Sequence, residues 1–236
     1  MVMVKNQQQL KTKIQLLTDI WIDDIIHRQQ DSGDIMISQL QYRTNFLTDD
    51  ECKEFIEYYK DNESRSYRGE IRYPPYAEVN LQKKLTRVVD VTEQLEFKHL
   101  EEPLDRVRDL VKSVNETDWK FDVDWKSSKE REKSAKIIKY EGDHKGFWAR
   151  HQNVNWLSND KHFKIVASIQ LSDTTDYEGG NTVYYFGDAR DKPTPKESRT
   201  RGTLCIYPAF RMSQTYPVLS GNKYVLEFLF EGPCWK

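Results

Sequence analysis

Beyond Asn115 the spacing of apolar residues changes from a helical step to strict alternation: Trp119, Phe121, Val123 and Trp125 each follow a polar residue. A step of two places every second side chain on one face, the pattern of a half-buried strand. Strand-like segments then continue to the C-terminus, near 136–140, 147–154, 163–171, 181–186, 202–207, 212–218 and 223–231. Turn signals separate them at Asp176 to Gly180, at Gly187-Asp188 and at Ser220-Gly221-Asn222. Many short strands bury their apolar faces by closing on one another, so the pattern predicts a jelly roll or barrel. With helices ahead of it, the chain is mainly β with N-terminal helices, an α+β arrangement.

The N-terminal part carries the helices. Leu10, Ile14, Leu17, Trp21 and Ile25 fall on one face of an amphipathic helix between Gln9 and Gln30, and such a stripe needs a surface to cover it. It packs on its own domain or forms an arm that docks on a partner. Asp31-Ser32-Gly33 breaks this helix, which divides the chain into an arm at 1–43 and a domain at 44–236. Thr48 and Glu51 form a capping box, with Leu47 stapled to Cys52, and start a helix that runs to about Lys60. Residues 61–83 lack periodicity and contain Pro74-Pro75, which reads as an irregular loop at the rim of a site. A second helix spans about Glu102 to Val114, and the charged stretch 188–201 reads as a solvated hairpin loop.

Composition narrows the function classes. The 36 basic residues nearly balance 38 acidic ones, so no global field exists to hold a nucleic acid or an anionic membrane. No apolar run approaches the length of a membrane span, and the N-terminus lacks the pattern of a signal peptide. Cys52, Cys205 and Cys234 are widely spaced and form no C-x-x-C pair, which argues against a disulfide framework or structural zinc and for a reducing compartment. The expectation is a soluble intracellular protein, cytoplasmic on these features. Cys205 sits in an alternating strand and reads as a buried structural thiol.

Several ordered motifs carry a family resemblance. Phe46 to Cys52 is an "FL-x-x-x-E-C" helix start, and Tyr140, Gly142 and Asp143 precede His151. Further on come Ser168-Ile169-Gln170-Leu171-Ser172-Asp173 and Tyr177-Glu178-Gly179-Gly180, then Gly202-Thr203, Tyr207-Pro208, Pro217-Val218, Gly221, Lys223 and Gly232-Pro233. In these pieces residues 44–236 resemble the Fe(II)/2-oxoglutarate dioxygenases, in the prolyl-4-hydroxylase-like branch found in cyanobacteria and their phages. The resemblance implies a double-stranded β-helix. It also implies an iron held by His-x-Asp on one strand and a distal His on a later one, with a basic residue ten positions beyond gripping the oxo acid.

In that register the first ligand is His151, the carboxylate position holds Asn153, the distal imidazole position holds Ser213, and the oxo-acid clamp is Lys223 with Tyr140 nearby. No histidine follows His162. Two of the three iron ligands are therefore replaced by an amide and a hydroxyl, and even second-shell losses cost metal sites about 10 to 100-fold in affinity. A site rebuilt from Asp143, His144, His151, Asp160 and His162 matches no compact ligand spacing. The expected function is a non-catalytic dioxygenase-fold protein, a structural or protein-binding component of an assembly such as a phage particle. No cofactor is expected, and the partners are other protein chains, without nucleic acid or membrane. The alternative is a hydroxylase of a prolyl or other peptide side chain, with Fe(II) and 2-oxoglutarate at an altered site. A third reading is a sensor that binds a carboxylate metabolite through Lys223.

Overall fold

Alternation in the C-terminal half becomes two antiparallel sheets facing each other. The computed structural model describes residues 40–69, 84–91, 99–125, 135–155, 158–185 and 196–235, all within one unit spanning Gln39–Lys236. The strands are β1 (Gln41–Arg43), β2 (Tyr67–Arg68), β3 (Lys84–Leu85), β4 (Arg87–Asp90), β5 (Ala135–Glu141), β6 (Phe147–His151) and β7 (Lys161–Gln170). They continue as β8 (Tyr177–Gly179), β9 (Thr182–Tyr184), β10 (Leu204–Pro208), β11 (Ser213–Thr215) and β12 (Val218–Pro233). The larger sheet runs β1-β10-β7-β12-β5-β4-β2, with β8 also on β12, and the smaller runs β3-β6-β11-β9. Successive strands alternate between the sheets, β6 to β7 and then β10 to β11 to β12, so the fold is a double-stranded β-helix as expected.

Each strand of the large sheet shows why the two sheets and the helices fit together. Ile165, Ala167 and Ile169 of β7, Leu204 and Ile206 of β10, and Leu226 and Phe228 of β12 point to one side. There they meet the helices α1 (Asp49–Asp61) and α2 (Glu101–Val114), whose Cys52, Phe55, Tyr59, Val107 and Val111 are buried in the same core. The alternate residues Ile138, Tyr140, Val166, Cys205, Tyr207 and Val225 point between the sheets and are also buried. Cys205 is the buried thiol expected, raised to about 12 mainly by desolvation.

The capping box forms as read: Glu51 N–H donates to Thr48 Oγ1 (3.2 Å) and Thr48 N–H to Glu51 Oε2 (2.7 Å). Glu51 Oε1 in turn accepts from Arg106 of α2 at 2.7 Å, so the cap also ties the two helices together. Among the described residues no helix is long and apolar enough to cross a membrane.

Four expectations are corrected. Residues 119–125 pair in no strand. A π-helical turn, Asn115–Trp119, ends at Lys120 in left-handed conformation (φ 53°), and the Asn115 amide clamps the N–H and C=O of Phe121, both at 2.9 Å. Trp119 and Val123 are buried, Phe121 and Trp125 pack against the same core, and Lys120, Asp122 and Asp124 between them are exposed, so the alternation separates a wet face from a dry one as read, without a strand ladder. Ser220-Gly221-Asn222 is no turn but the bend within β12, where the strand passes from β8 to β5. Gly221 there has φ 70°, and a Cβ would lie 2.1 Å from the Asp176 carbonyl oxygen, which only glycine tolerates. The segment 61–83 contains a 3-10 turn and β2 within its described part. The described end of the charged loop, Lys196–Arg199, is a 3-10 turn rather than open hairpin. The stripe Leu10, Ile14, Leu17, Trp21 and Ile25 lies outside the described residues.

Candidate functional site

The residues placed at ligand positions by register come together between the sheets. Ser213 of β11 and His151 of β6 are cross-strand partners, with Ser213 Oγ 3.5 Å from His151 Nε2. Asn153 follows β6, where its N–H donates to the Ala209 carbonyl at 2.9 Å. Its side-chain amide donates to the Tyr207 hydroxyl at 3.3 Å, and Tyr207 also hydrogen-bonds Ser213. A tyrosine from the large sheet thus joins the Asn153 amide and the Ser213 hydroxyl.

His151 is held in one protonation state. Its Nδ1 lies 2.7 Å from the Ala149 carbonyl oxygen, so Nδ1 carries the hydrogen and Nε2 keeps its lone pair. The ring stacks on Trp148 at 3.8 Å between centroids. Burial lowers its pKa to about 4, so the imidazole is neutral at ordinary pH.

Charge enters this interior from residues the register does not name. Glu227 of β12 is buried between Val225 and Leu229, and Lys136 of β5 lies 3.1 Å from its Oε1 without hydrogen-bond alignment. Lys84 of β3 is also buried, with its ammonium 3.2 Å from the Trp148 ring centroid, and burial together with Lys136 lowers its pKa to about 7. The available signal for Glu227 was a lone acid inside the apolar run Tyr224-Val225-Leu226-Glu227-Phe228. For Tyr207, Lys84 and Lys136 no such signal existed, because strands far apart in sequence bring them together.

Lys223 is buried on the same face of β12 as Glu227. Its ammonium donates to the Gly180 carbonyl (2.7 Å) and to Thr182 Oγ1 (2.9 Å). Tyr140 is near but not bonded to it: its ring centroid is 5.7 Å from Lys223 Nζ and its hydroxyl pairs with Thr215. Burial and the neighbouring Arg199 guanidinium lower the Lys223 pKa to about 7.

Iron does not fit this donor set. The cavity lined by His151, Ser213, Tyr207 and Glu227 measures about 20 Å³, little more than the roughly 10–15 Å³ one water requires. A neutral amide already engaged with a phenol and a serine hydroxyl are poor partners for a divalent ion. Among the described residues no three His, Cys, Asp or Glu side chains converge as a metal site. His162, one of the other histidines considered, serves the backbone: its Nδ1 accepts from Trp235 N–H at 3.0 Å.

No family model matches the sequence, and no curated protein is similar to it. Solved structures are similar in fold. A Trichoplax adhaerens prolyl hydroxylase, in complex with a hypoxia-inducible-factor peptide fragment, superposes with a TM-score of 0.62 at 12% identity, over 92% of this chain and 91% of that one. A Pseudomonas putida prolyl-4-hydroxylase gives 0.58 at 12% identity, over 82% and 93%. The viral collagen prolyl hydroxylase of Paramecium Bursaria Chlorella virus-1, in its 2-oxoglutarate complex, gives 0.54 at 13%, over 85% and 99%. What this chain shares with these 2-oxoglutarate oxygenases is their fold, a double-stranded β-helix backed by helices.

Proposed function

We propose that the chain is a non-catalytic protein on a dioxygenase scaffold, acting as a structural or protein-binding component of a larger assembly, such as a phage particle. The observation that carries this reading is the donor set at the metal position: one imidazole, one amide and one hydroxyl, with Tyr207 bridging the last two. Fold alone does not assign activity, and the site's chemistry argues against ordinary oxygenase turnover. The stripe Leu10, Ile14, Leu17, Trp21 and Ile25 is the proposed docking arm. Anaerobic titration with Fe(II), with and without 2-oxoglutarate, is expected to show no binding at sub-millimolar concentration by calorimetry. Joint binding of the two, with the weak visible band of such a complex, overturns the reading. Deleting residues 1–30 is expected to abolish association with the partner while the domain stays folded.

A second reading, hydroxylation of a prolyl or other peptide side chain at an altered iron site, is favoured by the unprotonated Nε2 of His151, which faces the Ser213 hydroxyl. It predicts Fe(II)-dependent release of succinate from 2-oxoglutarate, lost in His151→Ala.

A further inference from the structure

Lys223 and Arg199 line one narrow pocket, together with Ser168, Thr182, Thr203 and Tyr177. No acidic residue lines it among the described residues. Among the described residues Lys223 Nζ has only neutral acceptors, the Gly180 carbonyl and Thr182 Oγ1, and Arg199 Nε is buried without a hydrogen-bond partner. The Tyr177 hydroxyl accepts from Gln170 at 3.0 Å, which leaves its own hydrogen for another acceptor. Two cations and several hydroxyls therefore converge where no described lining residue carries a negative charge, Asp173 and Asp176 acting on Tyr177 from outside the lining. Burying a charge without a counter-charge costs several kcal/mol.

We infer that the Lys223–Arg199 pocket is a binding site for one small inorganic anion of halide size. The pocket measures about 30 Å³, roughly twice what a single water needs. A monatomic anion fits, whereas an extended dicarboxylate such as 2-oxoglutarate does not. The anion supplies the missing charge, accepts from the ammonium and from Arg199 Nε–H, and fixes the 3-10 turn Lys196–Arg199 against the sheet. The inference rests on the reading above that no oxo acid occupies this pocket.

The test uses the full chain and bromide as the probe. Crystals equilibrated in sodium bromide are expected to show an anomalous peak within hydrogen-bonding distance of Lys223 Nζ and Arg199. In solution at constant ionic strength, exchanging gluconate for bromide at about ten times the dissociation constant is expected to raise the melting temperature by about 4 °C. Arg199→Gln and Lys223→Met are each expected to remove both signals, and Arg199→Gln keeps a polar group in case Lys223→Met does not fold. Bromide found only on the outer surface, or a thermal shift unchanged in Arg199→Gln, overturns the inference. That failure leaves the non-catalytic reading standing if Fe(II) and 2-oxoglutarate still do not bind. Their joint binding overturns both.

Discussion

At the scale of single residues, the proposed lack of catalysis turns on the atoms that Asn153 and Ser213 present beside His151. Ser213 faces His151 across the strand pair, and Asn153 reaches Tyr207, so under the proposed register an amide and a hydroxyl stand in for a carboxylate and an imidazole. Restoring the atoms is the direct check: Asn153→Asp combined with Ser213→His is expected to raise Fe(II) affinity by about two orders of magnitude, read by anaerobic calorimetry. No gain would mean that Ser213 does not stand at the distal ligand position. The approach of Ser213 to His151 was legible in part, since the register rests on spacing, with Ser213 ten residues before Lys223. Tyr207, Glu227 and Arg199 were not assigned from sequence, because their roles depend on which strand faces which.

At the scale of elements, local chemistry sets the start of α1. The box at Thr48 satisfies N–H groups at the first turn of α1 and places Asp49, Asp50 and Glu51 there, where the helix dipole favours negative charge. Thr48→Ala is expected to cost about 1 kcal/mol in chemical denaturation, and Thr48→Ser almost nothing. Glu51→Ala is expected to cost more than Thr48→Ala, since it also releases Arg106 of α2. Equal losses would show that the Glu51–Arg106 contact contributes nothing. Strands were less legible than helices. β12 runs through Ser220-Gly221-Asn222 because Gly221 absorbs the bend while β8 and β5 hold the strand on either side. A turn signal reports local backbone preference, and the ladder overrides it.

At the scale of the whole molecule, the space between the sheets concentrates buried positive charge at Lys84 and Lys223. Both titrate near 7 in the folded chain against an ordinary 10.5, so between those values the unfolded chain binds more protons. Stability is therefore expected to rise with pH from about 7 towards 10, and to be lowest below 7, where both lysines must be buried charged. In gluconate buffers the slope is expected to be on the order of 1 kcal/mol per pH unit for each lysine. Lys223→Met should remove one lysine's share, as read from denaturation midpoints across this range. A flat profile in the parent protein would show that water reaches these ammonium groups.

The sequence by itself determined the class of fold, the two helices at Asp49–Asp61 and Glu101–Val114, and most of the strands, because periodicity and capping are local properties of the chain. It also supplied the spacing on which the proposed register of His151, Asn153, Ser213 and Lys223 rests, since residue identity at a spaced motif needs no coordinates. Only the tertiary structure decided what fills the interior: the Tyr207 bridge, the Glu227–Lys136 pair and the meeting of Lys223 with Arg199. Those contacts join segments far apart in the chain, and their partners are set by sheet register, which no local pattern encodes.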